Sequence, residues 1–459
     1  MSPKRRKPKA CADGGESALL AQSFPELRLP ERHTWSEVAK ALRRRSSWVL
    51  LGLGFSAGLP FLLVGATLGM WLRQAGASLT LISVFSGISL WYGAKVLWAP
   101  FMDKLRLPLL YSWLGQRRSC MLLSQLLIAA GLLLMAWVGP KAHIGGFLAA
   151  GLLVAFAAAS QEIAVDAWRV EETTSVASQA LNPSLYSLGY RLGNLATSSL
   201  ALFLADAVGW SASYAVMAAC LVIGVASTFA APRTAAEQQE RPVKTARQLL
   251  IDPFAAFVRE HTGAATIILL FVALYRLPDY VLGPVVGPMY TDTGLSNTAV
   301  AALRGSAGLI ASFVGVGLGG GCLLALGLER TLWLGAATTI VSKLGFAWMS
   351  LAHGSVPVFL VVLTGDDVSN GIAETASIAF MTRMTGRDFT LTHYALMYSV
   401  MAFTGKVLKM FSGSFIDAVT PRIGLFPAYA VFFIGCAVIV LPAMALLWAL
   451  RRKGIFATA

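Results

Sequence analysis

The sequence predicts an all-α integral membrane protein, with twelve transmembrane helices in two pseudo-symmetric six-helix bundles around a central cleft. Three observations carry that prediction. Of 459 residues, 56% are hydrophobic and only 13% charged, about half the charged fraction of an ordinary soluble domain. The apolar residues fall in blocks of roughly 20, enough to cross ~30 Å of hydrocarbon as helices. A polar stretch near the middle of the chain divides those blocks into two sets of six.

Residues 1–46 form a basic tail that includes Lys4, Arg5, Arg6, Lys7 and Lys9, with a short amphipathic helix expected around Trp35–Arg45. The first bundle occupies 47–230, with spans at 47–72, 78–102, 119–138, 144–168, 183–206 and 211–230. A cytoplasmic linker follows over 231–262 and carries Arg233, Arg241, Lys244, Arg247 and Arg259. The second bundle occupies 263–450, with spans at 263–290, 296–321, 329–350, 355–381, 391–417 and 424–449. The C-terminal tail, 451–459, begins with Arg451, Arg452 and Lys453. The first apolar run exceeds 20 residues, too long for a cleavable signal peptide.

The net charge of +14 suggests nucleic acid until its distribution is considered. On this span assignment most Lys and Arg fall on one side of the membrane. The positive-inside rule then puts both termini in the cytoplasm and makes the basic tail a topology signal beside anionic lipid. No nucleic-acid partner is expected. The five cysteines, Cys11, Cys120, Cys220, Cys322 and Cys436, show neither metal nor disulfide spacing. No cofactor is expected. With no nucleophile–base set and no metal set, the chain is not read as an enzyme.

Charged residues inside spans cost roughly 2.5–3.5 kcal/mol each on insertion scales, and they persist where they line a wet path or bind something. In AASQEIAVDAWRVEE (158–172), Gln161 adjoins Glu162, and Asp166 and Arg169 follow one and two turns on. Burial and a nearby cation push the protonation of an acid in opposite directions. Glu162 and Asp166 are therefore candidate proton carriers; the alternative is an ion pair with Arg169 that fixes helix packing. Span 5 places Tyr190, Arg191 and Asn194 together, and Arg191 needs an anionic partner, either a cargo carboxylate or the span-4 acids. Span 7 carries Tyr275, Arg276 and Asp279 in LYRLPD, where Pro278 kinks the helix. Span 10 offers Asp366, Asp367, Asn370 and Glu374, and span 11 offers Lys406 and Lys409. Lys406 and the two Asp residues fall at similar depth, so a bridge between them is expected. Lys95 and Arg304 are expected to face the cleft, while Lys343 is left undecided. In the 2–3 loop, Asp103 with Arg117 and Arg118 is a candidate latch on neighbouring helix ends. The run GVGLGGG (315–321) ends a helix and is read as close helix packing through Gly315 and Gly319.

Several segments together resemble the AmpG family of muropeptide permeases, a branch of the major facilitator superfamily. They are GFSAGLPFLLVGATLGMWL (54–72), AKVLWAPFMDKL (94–105), ASQEIAVDAWRVE (159–171), SLGYRLGNLATSSLALFLAD (187–206), LYRLPD (274–279) and THYALMYSV (392–400). The resemblance implies proton-coupled import of N-acetylglucosamine–1,6-anhydro-N-acetylmuramyl peptides across the bacterial inner membrane, by alternating access, for wall recycling. It places Lys95, Gln161, Glu162, Asp166, Tyr190, Arg191 and Asp279 on family motif positions. The chain departs from the family pattern at Arg276 and Arg304, where lysine is common, at Asp366-Asp367, and at Glu374 and Lys409, which are usually uncharged. Arginine and lysine are not equivalent anion ligands.

The expected cargo-binding set is therefore Gln161, Tyr190, Arg191, Asn194, Tyr275, Arg276, Arg304 and Asn370. The expected proton-coupling set is Glu162, Asp166, Asp279, Asp366 and Asp367. The expected bridging or gating set is Lys95, Asp103, Arg118, Arg169 and Lys406. A monomer in the lipid bilayer is expected, its partners being protons and an anionic sugar peptide. A permease for a siderophore or an acyl-coenzyme A, and a receptor that does not translocate, are the alternatives. One proton moving down ~100 mV supplies about 2.3 kcal/mol, roughly a fifty-fold gradient, and no nucleotide-binding motif offers another energy source.

Overall fold

In the computed structural model the described residues are 45–102, 105–108, 110–172, 176–233, 259, 263–385 and 390–456. The expected helix around Trp35–Arg45, apart from Arg45 itself, and most of the 231–262 linker lie outside them. All regular structure among the described residues is helical, as it must be where lipid cannot satisfy backbone N–H and C=O groups.

The helices are α1 (Arg45–Gln74), α2 (Leu79–Ala94), α3 (Gln116–Val138), α4 (Ile144–Glu172), α5 (Val176–Leu195), α6 (Trp210–Ala230), α7 (Ala265–Asp292), α8 (Asn297–Leu326), α9 (Leu328–Leu351), α10 (Val356–Arg383), α11 (Thr390–Leu408) and α12 (Leu425–Arg452). Nine of these are long and apolar enough to cross a membrane. The exceptions are α2, α5 and α11, which correspond to the expected spans 2, 5 and 11. Each continues through an irregular turn: α2 into Lys95–Leu97 and Ala99–Met102, α5 through a π-type turn (Ala196–Leu200) to Val208, and α11 through a 3-10 turn (Lys409–Phe411) to Ile423. Polar side chains and broken backbone cost these three the length and hydropathy of simple lipid-facing helices.

Within the first half α1 packs along α5, and α3 along α4. The first contact is backbone on backbone: a Cβ on Gly189 would lie 2.0 Å from the Leu51 carbonyl oxygen. In the second half α8 packs along α10 and α9 along α12. As the sequence suggested, Gly315 and Gly319 carry the α8–α10 contact, where an added Cβ would meet Val368 and Thr375 at 2.6 and 2.9 Å. Apolar side chains such as Trp137 and Leu324 project outward from the helices.

The two halves meet where the end of α1 touches the second part of α7, where α2 touches the continuation of α11, and where the continuation of α5 touches the start of α8. All three contacts lie at the end of the helices facing away from Arg45 and Arg452.

Candidate functional site

Each half contains a charged cluster. In the first, α2 breaks at Lys95, whose Nζ lies 2.8 Å from Glu162 Oε2 and 3.7 Å from Asp166 Oδ2 on α4. Arg169 closes the row, 3.0 Å from Asp166 and stacked over the Tyr186 ring at 5.0 Å. The one-turn spacing of Glu162, Asp166 and Arg169 places all three on the face that meets α2. Glu162 is 15% exposed and Asp166 42%, so the row runs from shelter toward solvent.

In the second half α7 is interrupted at Arg276, with Pro278 opening the next helical segment. That break lets Arg276 and Asp279 meet at 3.0 Å. Asp279 also takes Lys343 of α9 at 2.7 Å, and Lys343 reaches Asp366 of α10 at 2.8 Å. Asn370 donates to Asp366 at 3.0 Å, and Ser342 donates to it as well. Lys343, undecided from the sequence, is 1% exposed and is the hub of this network. Two cations and two acids balance, which is what so dry a position requires.

Several expectations are corrected by this geometry. Lys406 does not bridge to Asp366 or Asp367: α10 turns Asp366 toward α9, while Lys406 lies near Glu162 across the halves. Asp367 sits beside Arg304 and against Gly308. Gln161 is fully buried and donates to Ser56 of α1 at 2.8 Å, sealed between helices. Tyr275 is spent on the Leu332 carbonyl at 3.0 Å. Arg276 and Asn370 belong to the Lys343 network. Arg191 is exposed and pairs with neither span-4 acid; its guanidinium lies 5.8 Å from the Phe313 ring. The charged residues are thus divided between the Glu162 row, the Lys343 network and an Arg304–Asp367 pair, with Arg191 apart from all three.

Tyr190 packs against Phe61 and Tyr186, and the Asn194 Oδ1 is buried without a partner. Arg118 donates to the carbonyls of Leu114 and Ala231, 2.7 and 2.8 Å away, so it does tie helix ends together. Arg117 pairs with Glu171 at 3.0 Å. Asp103 lies outside the described residues.

Two adjoining cavities lie between the halves. One, of about 190 Å³, is lined by α1, α2, Gly283, Pro284 and Lys409. A smaller one, about 40 Å³, shares Leu62, Ala66 and Gly283 with it and adds Tyr290 and Arg304. Of the expected cargo residues, Arg304 borders the smaller cavity and none borders the larger.

The sequence reading missed the closure at the far end. Arg73 Nε meets both Asp292 oxygens at 2.7 and 2.9 Å, and the Tyr429 hydroxyl donates to the same carboxylate at 2.6 Å. Gln74 donates to Asn297 at 2.9 Å. Thr80 and Thr298, near the starts of α2 and α8, each donate backbone N–H and hydroxyl to an acid of the opposite half, Asp417 and Asp206 respectively. The signal was present as a repeat, G-x-S-x-T at Gly76–Thr80 and again at Gly294–Thr298. In both copies the glycine takes a positive φ, +92° and +87°, and the serine caps the helix that follows.

A profile described as Major Facilitator Superfamily matches residues 50–390. An anhydromuropeptide permease of Escherichia coli (strain K12) is 28% identical over 386 residues, covering 83% of this chain and 77% of its own length. An uncharacterized protein of Haemophilus influenzae is 31% identical over 412 residues, covering 87% and 93%. Among solved structures, a bacterial homolog of the human lysosomal transporter Spinster aligns with a TM-score of 0.65 at 14% identity, covering 90% of this chain and 98% of the other. A D-xylose-proton symporter aligns at 0.62 and 11% identity, covering 86% and 96%.

Proposed function

We propose that this chain, which belongs to the Major Facilitator Superfamily, is a proton-coupled importer that carries anhydromuropeptides from periplasm to cytoplasm across the bacterial inner membrane. Membership of that family makes it a multi-pass transmembrane transporter rather than an enzyme. The cargo is supported by the E. coli permease, whose likeness runs through both halves. With both termini cytoplasmic, the closed end is the periplasmic one and the protein is in an inward-facing state.

The observation that carries the coupling is Lys95 held between Glu162 and Asp166, with Lys406 of the other half near Glu162. Protonating Glu162 removes the charge that holds Lys95 and attracts Lys406. That weakens an electrostatic link between the bundles, as alternating access requires. The second cluster, built around Lys343, has no uncompensated charge to release and serves as a rigid support for α7, α9 and α10.

The test is uptake of labelled anhydromuropeptide into vesicles with and without a proton gradient. Accumulation that depends on the gradient supports the reading. Equal uptake in both removes the coupling, and preferential uptake of a siderophore or an acyl-coenzyme A removes the cargo.

A further inference from the structure

The larger cavity contains a cation with no anionic partner among the described residues. α2 and the continuation of α11 approach closely where Gly87 faces Met410; a Cβ there would lie 2.6 Å from its sulfur. The approach brings the 3-10 turn Lys409–Phe411 against α2 and sets Lys409 in the cavity wall. Lys409 forms no ion pair among the described residues, and the charge that acts on it is Lys406, one turn earlier on the same helix. Like charges at that spacing destabilise each other, and Lys409 is half-buried, so its ammonium has lost part of its hydration without gaining a counter-charge.

The other polar side chains of the lining residues do not open into the cavity. The Ser89 hydroxyl and the Tyr92 hydroxyl are buried without a hydrogen-bond partner, while Ser86 already donates to the Ser83 carbonyl at 2.6 Å. The remaining lining is apolar, including Phe61, Leu68, Leu72 and Ile82. About 190 Å³ is room for about six waters. That is too little for a disaccharide and enough for one small branch of a larger cargo.

We infer that this cavity is an anion subsite, in which Lys409 receives a carboxylate carried on a short aliphatic arm. The ammonium pairs with the carboxylate, and the leucine and isoleucine walls enclose the alkyl group. The inference rests on the transport reading of this cleft but not on the identity of the cargo.

The test uses small probes that differ in charge alone. Thermal stabilisation of the purified full-length protein is measured with N-acetylalanine and with N-acetylalanine amide, for wild type, Lys409→Gln and Lys409→Arg. The acid is expected to stabilise wild type and Lys409→Arg, the amide neither. In Lys409→Gln the half-effective concentration of the acid should rise at least tenfold, about 1.4 kcal/mol. Unliganded melting midpoints show whether each variant is folded, and Lys409→Arg provides a charged comparison. Equal stabilisation of wild type by acid and amide, equal response of wild type and Lys409→Gln to the acid, or no response in wild type, overturns the subsite. Loss of muropeptide uptake alongside a retained, Lys409-dependent response to the acid would remove the cargo assignment and leave the subsite standing.

Discussion

Thr80 on α2 gives both its backbone N–H and its hydroxyl to one carboxylate oxygen of Asp417 beyond α11, each at 2.7 Å. Thr298 on α8 does the same to Asp206 beyond α5, at 2.6 and 2.7 Å. Each acid sits on the positive end of a helix belonging to the other half, where the macrodipole favours it. The closed end is thus held by two copies of one device, related by the pseudo-symmetry of the halves.

Neutralising either acid should loosen that end. Asp417→Asn and Asp206→Asn are each expected to lower the closed-to-open ratio about fivefold, from loss of about 1 kcal/mol of charge-assisted bonding. The distance between spin labels at the facing ends of α2 and α11 reads this directly. Coincident distributions in wild type and both variants would mean that the acids do not hold the closure.

Arg73 and Asp292 should be interchangeable as a pair. Arg73→Asp and Asp292→Arg alone each bring like charges together and are expected to cut transport at least tenfold. The double swap should recover a substantial part of it. Tyr429→Phe removes one donor from Asp292 and should cost less, about 0.5–1.5 kcal/mol. A double swap as inactive as either single change would exclude the simple pair.

Lys343→Met leaves Asp279 and Asp366 facing each other in a dry site. Such a change costs about 3–5 kcal/mol, visible as a large fall in the melting midpoint in detergent. Adding Asp366→Asn leaves Arg276 to balance Asp279, so the double variant should be the more stable of the two. A double variant no more stable than Lys343→Met would show that charge balance is not what Lys343 provides.

Glu162→Gln should retain cargo exchange across vesicles while losing gradient-driven accumulation by tenfold or more. The variant mimics the protonated acid and leaves Lys95 with Asp166 alone. Accumulation at the wild-type level would move the proton to another carboxylate.

Gly189→Ala should destabilise the first half by about 1–3 kcal/mol, since the new methyl falls on the Leu51 carbonyl and the helices must separate. Thermal unfolding checks it, and an unchanged midpoint would mean that α1 and α5 can part without cost.

The sequence by itself determined the membrane class, the helical content and the placement of the nine helices with long apolar runs, because crossing hydrocarbon leaves the backbone few choices. It also made certain local pairs legible: Arg169 with Asp166 and Arg276 with Asp279 are set by helical spacing. Which helix faces which was decided only by tertiary structure. Lys343 found Asp279 and Asp366, Lys406 turned toward Glu162, and Lys409 entered a cavity, because helix rotation and crossing are fixed by packing contacts between distant segments. A few tens of degrees of rotation carry a buried charge from one partner to another, and hydropathy does not specify that angle.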